Sequence, residues 1–179
     1  VYEKDGTILW SAPVTDMSSH ATGSIVFDFE GDGFPEVVYG DELALWIFDG
    51  RNGSVRLRND SHNSRTLHEY PTIADLDGDG SAEIIVVNGG SHHNNTSTGI
   101  FVLGSSTDSW QRSRQVWNQH AYSITNINED LSIPETPVSN WPLYNNFRSG
   151  DVNPIAGSSA ADATPLADVC LLECYLDRV

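Results

Sequence analysis

Asp28-Phe29-Glu30-Gly31-Asp32-Gly33-Phe34-Pro35-Glu36 and, at an offset of 47 residues, Asp75-Leu76-Asp77-Gly78-Asp79-Gly80-Ser81-Ala82-Glu83 share one acidic pattern. Each places a carboxylate at positions one, three, five and nine, with glycine at six where the chain must turn sharply. That is the arrangement a cage for a hard cation requires, and calcium is the expected occupant. The spacing follows the first half of an EF-hand loop, but its last carboxylate comes at position nine rather than twelve. The candidate side-chain ligands are Asp28, Glu30, Asp32 and Glu36 in one loop and Asp75, Asp77, Asp79 and Glu83 in the other.

β-Branched and aromatic runs flank both loops: Ser24–Phe27 and Val37–Tyr39 around the first, Thr72–Ala74 and Ile84–Val87 around the second. Such runs predict a strand-loop-strand hairpin rather than helices. A merely solvated acidic turn is the competing reading, because Asp and Gly are ordinary turn formers. Two copies in register, each gathering four carboxylates, would repel strongly without a counter-ion, which favours the cation site. Glu30 is longer than the Asp of the sister loop, so the first site is expected to be the looser.

The same offset extends outward, as internal repeats do. Lys4-Asp5-Gly6-Thr7-Ile8-Leu9-Trp10 aligns with Arg51-Asn52-Gly53-Ser54-Val55-Arg56-Leu57. Both read as hairpins, with Asp-Gly or Asn-Gly at the turn. A further strand lies between loop and hairpin, Ala44–Phe48 in one unit and Gly99–Leu103 in the other. The fold class predicted is all-β, built of four-stranded antiparallel repeats of about 47 residues, the sequence signature of β-propeller blades. Residues 1–20 supply a half blade, 21–67 a complete one and 68–114 most of another. A closed ring needs about four blades or more, so the chain is expected to be part of a longer or multi-chain assembly.

The loops and strand pattern resemble the FG-GAP or VCBS-type repeats of integrin-α-like β-propellers. The resemblance implies calcium held by side chains at positions one, three, five and nine and by the backbone carbonyl of position seven, here Phe34 and Ser81, or about two ions in all. The Phe-Gly and Gly-Ala-Pro pair that names the family is missing, so integrin-type adhesion is not implied. The stretch Arg114–Asn128, followed by Asn145-Asn146-Phe147-Arg148, is similar to one that follows such repeats in large secreted bacterial proteins. It would make residues 115–148 a capping or ring-closing segment.

Trp110, Trp117, Tyr122, Trp141, Tyr144 and Phe147 concentrate in that region. Exposed rings would stack on sugars, but rings filling the end of a β core are the simpler reading. His120 is read as a hydrogen-bonded structural histidine, and His92-His93 as solvated loop residues. Residues 149–167 have the Ala/Ser/Pro/Gly composition of a linker, and residues 168–179 read as the start of a further strand or domain. Cys170 and Cys174, the only cysteines, would lie about 13 Å apart in one extended strand, too far for a disulfide. A turn joining them, or pairing elsewhere, stays open. Asn52, Asn59, Asn94 and Asn95 begin sequons at a frequency expected by chance.

A net charge of −16 with nine basic residues argues against nucleic acid or an anionic membrane surface as partner. Eight of the acidic side chains belong to the two loops, so two calcium ions would bring the charge to −12. Calcium loops of this kind point to an extracellular or cell-surface home, where the ion is millimolar. No nucleophile elbow, phosphate-binding glycine loop or His-Glu-x-x-His is present, and no catalytic residue is assigned. The expected role is a calcium-binding structural, adhesion or interaction module. Its partners would be the rest of its own polypeptide, identical chains, or an extracellular protein or carbohydrate. The scaffold of a secreted polysaccharide-degrading enzyme and the subunit of a self-assembling filament are the alternatives.

Overall fold

The computed structural model describes residues 1–89, 98–140, 142, 144 and 146–150, together with the backbone of a strand at Val169–Tyr175. His92, His93, Asn94, Asn95, Trp141, Asn145 and most of the segment read as a linker lie outside the described residues.

Eight strands form two sheets, and there is no helix among the described residues. The first sheet has the order β1(Ile25–Phe27), β2(Glu36–Gly40), β3(Leu45–Phe48), β4(Val55–Asn59). The second has the order β5(Thr72–Ala74), β6(Glu83–Asn88), β7(Gly99–Ser105), β8(Val169–Tyr175). All neighbours are antiparallel, and each sheet carries a register shift between its third and fourth strands, at Ile47/Phe48 and at Val102/Leu103. The fold class expected from the repeat is therefore present as two four-stranded antiparallel units.

Two boundaries differ from expectation. The strand expected after residue 168 forms, but it completes the second sheet as its fourth strand instead of opening a separate domain. Sequence spacing concealed this because more than sixty residues separate β7 from β8, far beyond an ordinary hairpin connection. Ser149, read as the first linker residue, is buried, and the carbonyl of its neighbour Gly150 accepts from Ser113 Oγ at 3.4 Å. Packing thus continues two residues further than composition suggested.

The repeat offset shows how the sheets stack. Strand pairing puts Ile25, Val38 and Ile47 on one face of the first sheet, and Val26 and Val37 on the other. In the second sheet Ile73, Ile84 and Leu103 share a face. At the 47-residue offset Ile73 and Ile84 correspond to Val26 and Val37, the face of the first sheet turned away from the second. One core cluster joins Ile25, Phe27, Phe29, Val38, Leu45 and Ile47 to Ile73, Ile84, Val86, Phe101, Leu103 and Trp110. The sheets therefore pack head to tail, each using the opposite face of the same repeat, as successive units of an array do.

Residues 1–20 contribute a small hairpin with a single bridge, Tyr2 to Ile8, and a strap on the first sheet. Trp10 Nε1 donates to the carbonyl of Gly50 at 2.7 Å, Thr15 N to Asp41 Oδ2 at 2.8 Å and Met17 N to Glu42 Oε1 at 2.9 Å. The segment after β7 is irregular but packed. Arg114 is buried and donates to Glu129 Oε1 at 2.7 Å and to the carbonyls of Ile124 and Ile127 at 2.7 and 2.9 Å. Tyr122 is fully buried beneath Trp117, the rings stacked at 4.1 Å.

Candidate metal centre

Both acidic loops join the first two strands of a sheet, and both wrap around their own first carboxylate. Asp28 accepts the amides of Asp32 at 3.1 Å and Gly33 at 2.8 Å, one on each oxygen. Asp75 Oδ1 accepts the amide of Gly78 at 2.7 Å. Position five caps position seven in each, through Asp32 with Phe34 N at 2.8 Å and Asp79 with Ser81 N at 2.7 Å. Position nine reaches back to the amide of position two, in the bonds from Phe29 N to Glu36 at 3.2 Å and Leu76 N to Glu83 at 2.7 Å. Gly33 and Gly80 at position six have φ of +84° and +92°, a conformation that glycine adopts without strain.

Trp110–Gln115 runs past both loops. Gln111 N donates to the carbonyl of Phe29 at 2.9 Å, and Asp75 N to the carbonyl of Arg114 at 3.1 Å. Ser81 Oγ donates to the carbonyl of Trp110 at 3.4 Å. Beside the second loop this segment helps form a cleft of about 770 Å³ whose lining includes Asp75, Asp79, Arg112, Gln115 and Glu129. The segment's part in shaping the site had no motif to announce it.

In the second loop one carboxylate oxygen each of Asp75, Asp77 and Glu83 lies within 4.8 Å of the other two. Asp75 and Glu83 are buried and Asp77 is exposed. Burial, followed by the charges of Asp77, Asp79 and Asp75, pushes the Glu83 carboxyl up to about 7. No arginine or lysine pairs with these carboxylates among the described residues. Converging, part-buried carboxylate oxygens with no ion pair at contact distance fit a hard divalent cation. Asp75, Asp77 and Glu83 would hold it, with Asp79 and the Ser81 carbonyl beside them in the same loop.

The first loop is equipped differently. Glu30 is buried and paired with Arg56, whose guanidinium also lies 3.5 Å from Asp49. Arg51 lies 3.5 Å from Asp32 and 2.6 Å from Asp49, and stacks over Phe34 at 4.9 Å. Burial lifts the Glu30 carboxyl above its ordinary value against the pull of Arg56. Glu36 is fully buried, and its Oε1 accepts no hydrogen bond among the described residues. Burial and the neighbouring Glu30 push its carboxyl up to about 8. Two arginines and Asp49 were missed in the sequence because they come from β4 and the β3–β4 turn, outside the motif. Their only local sign was basic residues in a strand that follows an acidic loop by one hairpin.

Among the other candidates, Trp110 and Tyr122 are core residues, whereas Phe147 is 62% exposed. His120 is exposed, sits edge-on to Tyr70 at 4.8 Å and accepts from Arg148 through its carbonyl.

Residues 28–86 match the FG-GAP-like repeat family, the repeat that the loops resemble. Among solved structures, the chain matches the crystal structure of the V. cholerae biofilm matrix protein Bap1 with a TM-score of 0.78 and 33% identity, over 86% of this chain. It spans 26% of the Bap1 chain. No curated protein matches the sequence significantly.

Proposed function

We propose that this chain is an extracellular structural or adhesion module of a larger assembly, stabilised by calcium at the second acidic loop. The convergence of Asp75, Asp77 and Glu83 carries the reading. Three carboxylates from positions one, three and nine converge without an ion pair among the described residues, although Arg112 and Arg114 line the cleft beside Asp75 and Asp79. When bound, the ion supplies the counter-charge; the residues themselves fix the loop through their amide bonds. Likeness to part of a biofilm matrix protein supports the extracellular placement.

The two sheets are proposed to be blades of a propeller. Head-to-tail stacking supports this, because each sheet keeps one face that its neighbour's equivalent residues would cover. Ile85 is half-buried and Val87 and Ile100 are exposed on the outer face of the second sheet, and Val26, Val37 and Tyr39 are half-buried on that of the first. The same observation favours, as a second reading, head-to-tail association with identical chains. In either case partners are further repeats of this kind, and the role is binding or structural rather than catalytic.

Thermal melting of the chelated chain, with and without added millimolar calcium, tests the reading. Calcium should raise the melting temperature, and Asp75→Asn should abolish the rise. A wild-type curve indifferent to calcium rules the proposal out.

A further inference from the structure

We infer that Arg56 occupies the charge role of a cation in the first acidic loop, so that this protein takes up one calcium ion, at the second loop, although its sequence carries two cation-loop motifs. The inference rests on the calcium reading of the second loop given above and concerns what the other loop does.

Three differences between the sister loops carry it. First, the third-position carboxylate of the first loop, Glu30, is buried against the Arg56 guanidinium, which also reaches Asp49. The fifth-position carboxylate, Asp32, faces Arg51. A guanidinium brings a positive charge and directional donors to carboxylates, satisfying two of the needs that a cation would meet. Second, both oxygens of Asp28 already accept backbone amides, whereas Asp75 accepts one, on Oδ1, among the described residues. Third, the strand register gives the second sheet no equivalent arginine. Ile47 pairs with Leu57 and Phe48 with Val55, leaving Arg56 at the register shift; Val102 pairs with Glu173 and Leu103 with Leu171, leaving Leu172 there. The position that carries a cation in one sheet carries leucine in the other.

Glu36 Oε1, fully buried and accepting no hydrogen bond among the described residues, remains in the first loop as an unused oxygen. Removing Arg56 leaves Asp28, Glu30, Asp32 and Glu36 with no guanidinium on Glu30, while Arg51 still faces Asp32. The longer Glu30 side chain is explained by the same geometry, since it spans the distance to an arginine on β4 instead of closing on an ion within its own loop.

Calorimetric titration of the decalcified full chain with calcium chloride tests this, using wild type, Asp28→Asn, Asp75→Asn and Arg56→Leu, the last checked for β-structure by circular dichroism. The expected stoichiometry is one for wild type, one for Asp28→Asn, none for Asp75→Asn and two for Arg56→Leu. A wild type that binds two ions, one of them lost in Asp28→Asn, overturns the inference and leaves the calcium reading standing. A single wild-type site lost in Asp28→Asn, or a folded Arg56→Leu protein that still binds one ion, also overturns it. A wild type that binds none removes the calcium reading and the inference with it. Should Arg56→Leu fail to fold, the other three proteins still decide the wild-type assignment, and Arg56→Gln repeats the gain-of-site arm.

Discussion

The amide of Leu76 donates to Glu83 Oε2 at 2.7 Å, closing the second acidic loop from its second position to its ninth. This bond brings a carboxylate from the start of β6 back over the loop and fixes it beside Asp75 and Asp77. The loop is thus folded by its own amides before any ion is considered, and a cation would add charge compensation to a geometry already set.

Glu83→Gln keeps an oxygen acceptor for Leu76 N while removing the charge. It is expected to weaken calcium binding by at least about tenfold, since a carboxylate is replaced by a neutral donor. The metal-free variant should be at least as stable as wild type near pH 8, because a buried charge without a partner is gone. Calorimetry and urea unfolding of the same preparations would measure both effects.

Glu36 and Glu83 have carboxyls raised from about 4.5 to about 8 and about 7. A group whose pKa is higher in the folded state stabilises the fold fully below its unfolded value, and that contribution is lost as pH rises through the folded value. The metal-free protein should therefore lose stability progressively from about pH 4.5 to about pH 8. Added calcium should offset the part of the loss that belongs to Glu83. Urea unfolding across this range, on decalcified protein with and without calcium, gives the two profiles; parallel profiles would contradict the coupling.

Arg114 ties the segment after β7 together by satisfying the carbonyls of Ile124 and Ile127 as well as Glu129. Arg114→Met should destabilise by about 3 kcal/mol, from charged hydrogen bonds lost and carbonyls left unpaired. Glu129→Ala, whose side chain is 76% exposed, should cost less than about 1 kcal/mol. Equal losses in denaturant melts would show that the ion pair, and not the two carbonyl bonds, carries the contribution.

The strands around each loop were legible because β-branched runs such as Ile84–Val87 sit beside an unmistakable turn. The third strand of each unit was legible for the same reason. What sequence could not supply was the fourth strand of the second sheet, since Val169–Tyr175 is joined to β7 through a long irregular segment and pairing across such a gap leaves no periodic trace. All four acidic positions of each loop were visible, but their inequality was only hinted at by Glu30. Arg56 and Leu172 decide it, and they are recognised as equivalents only once both register shifts are known.

Anomalous diffraction from crystals grown with calcium distinguishes the two loops at the ion itself. An anomalous peak is expected in the second loop, at about 2.3–2.6 Å from oxygens of Asp75, Asp77 and Glu83, and none beside the Arg56–Glu30 pair. Water alone at the second loop, in crystals grown at millimolar calcium, would contradict the calcium reading.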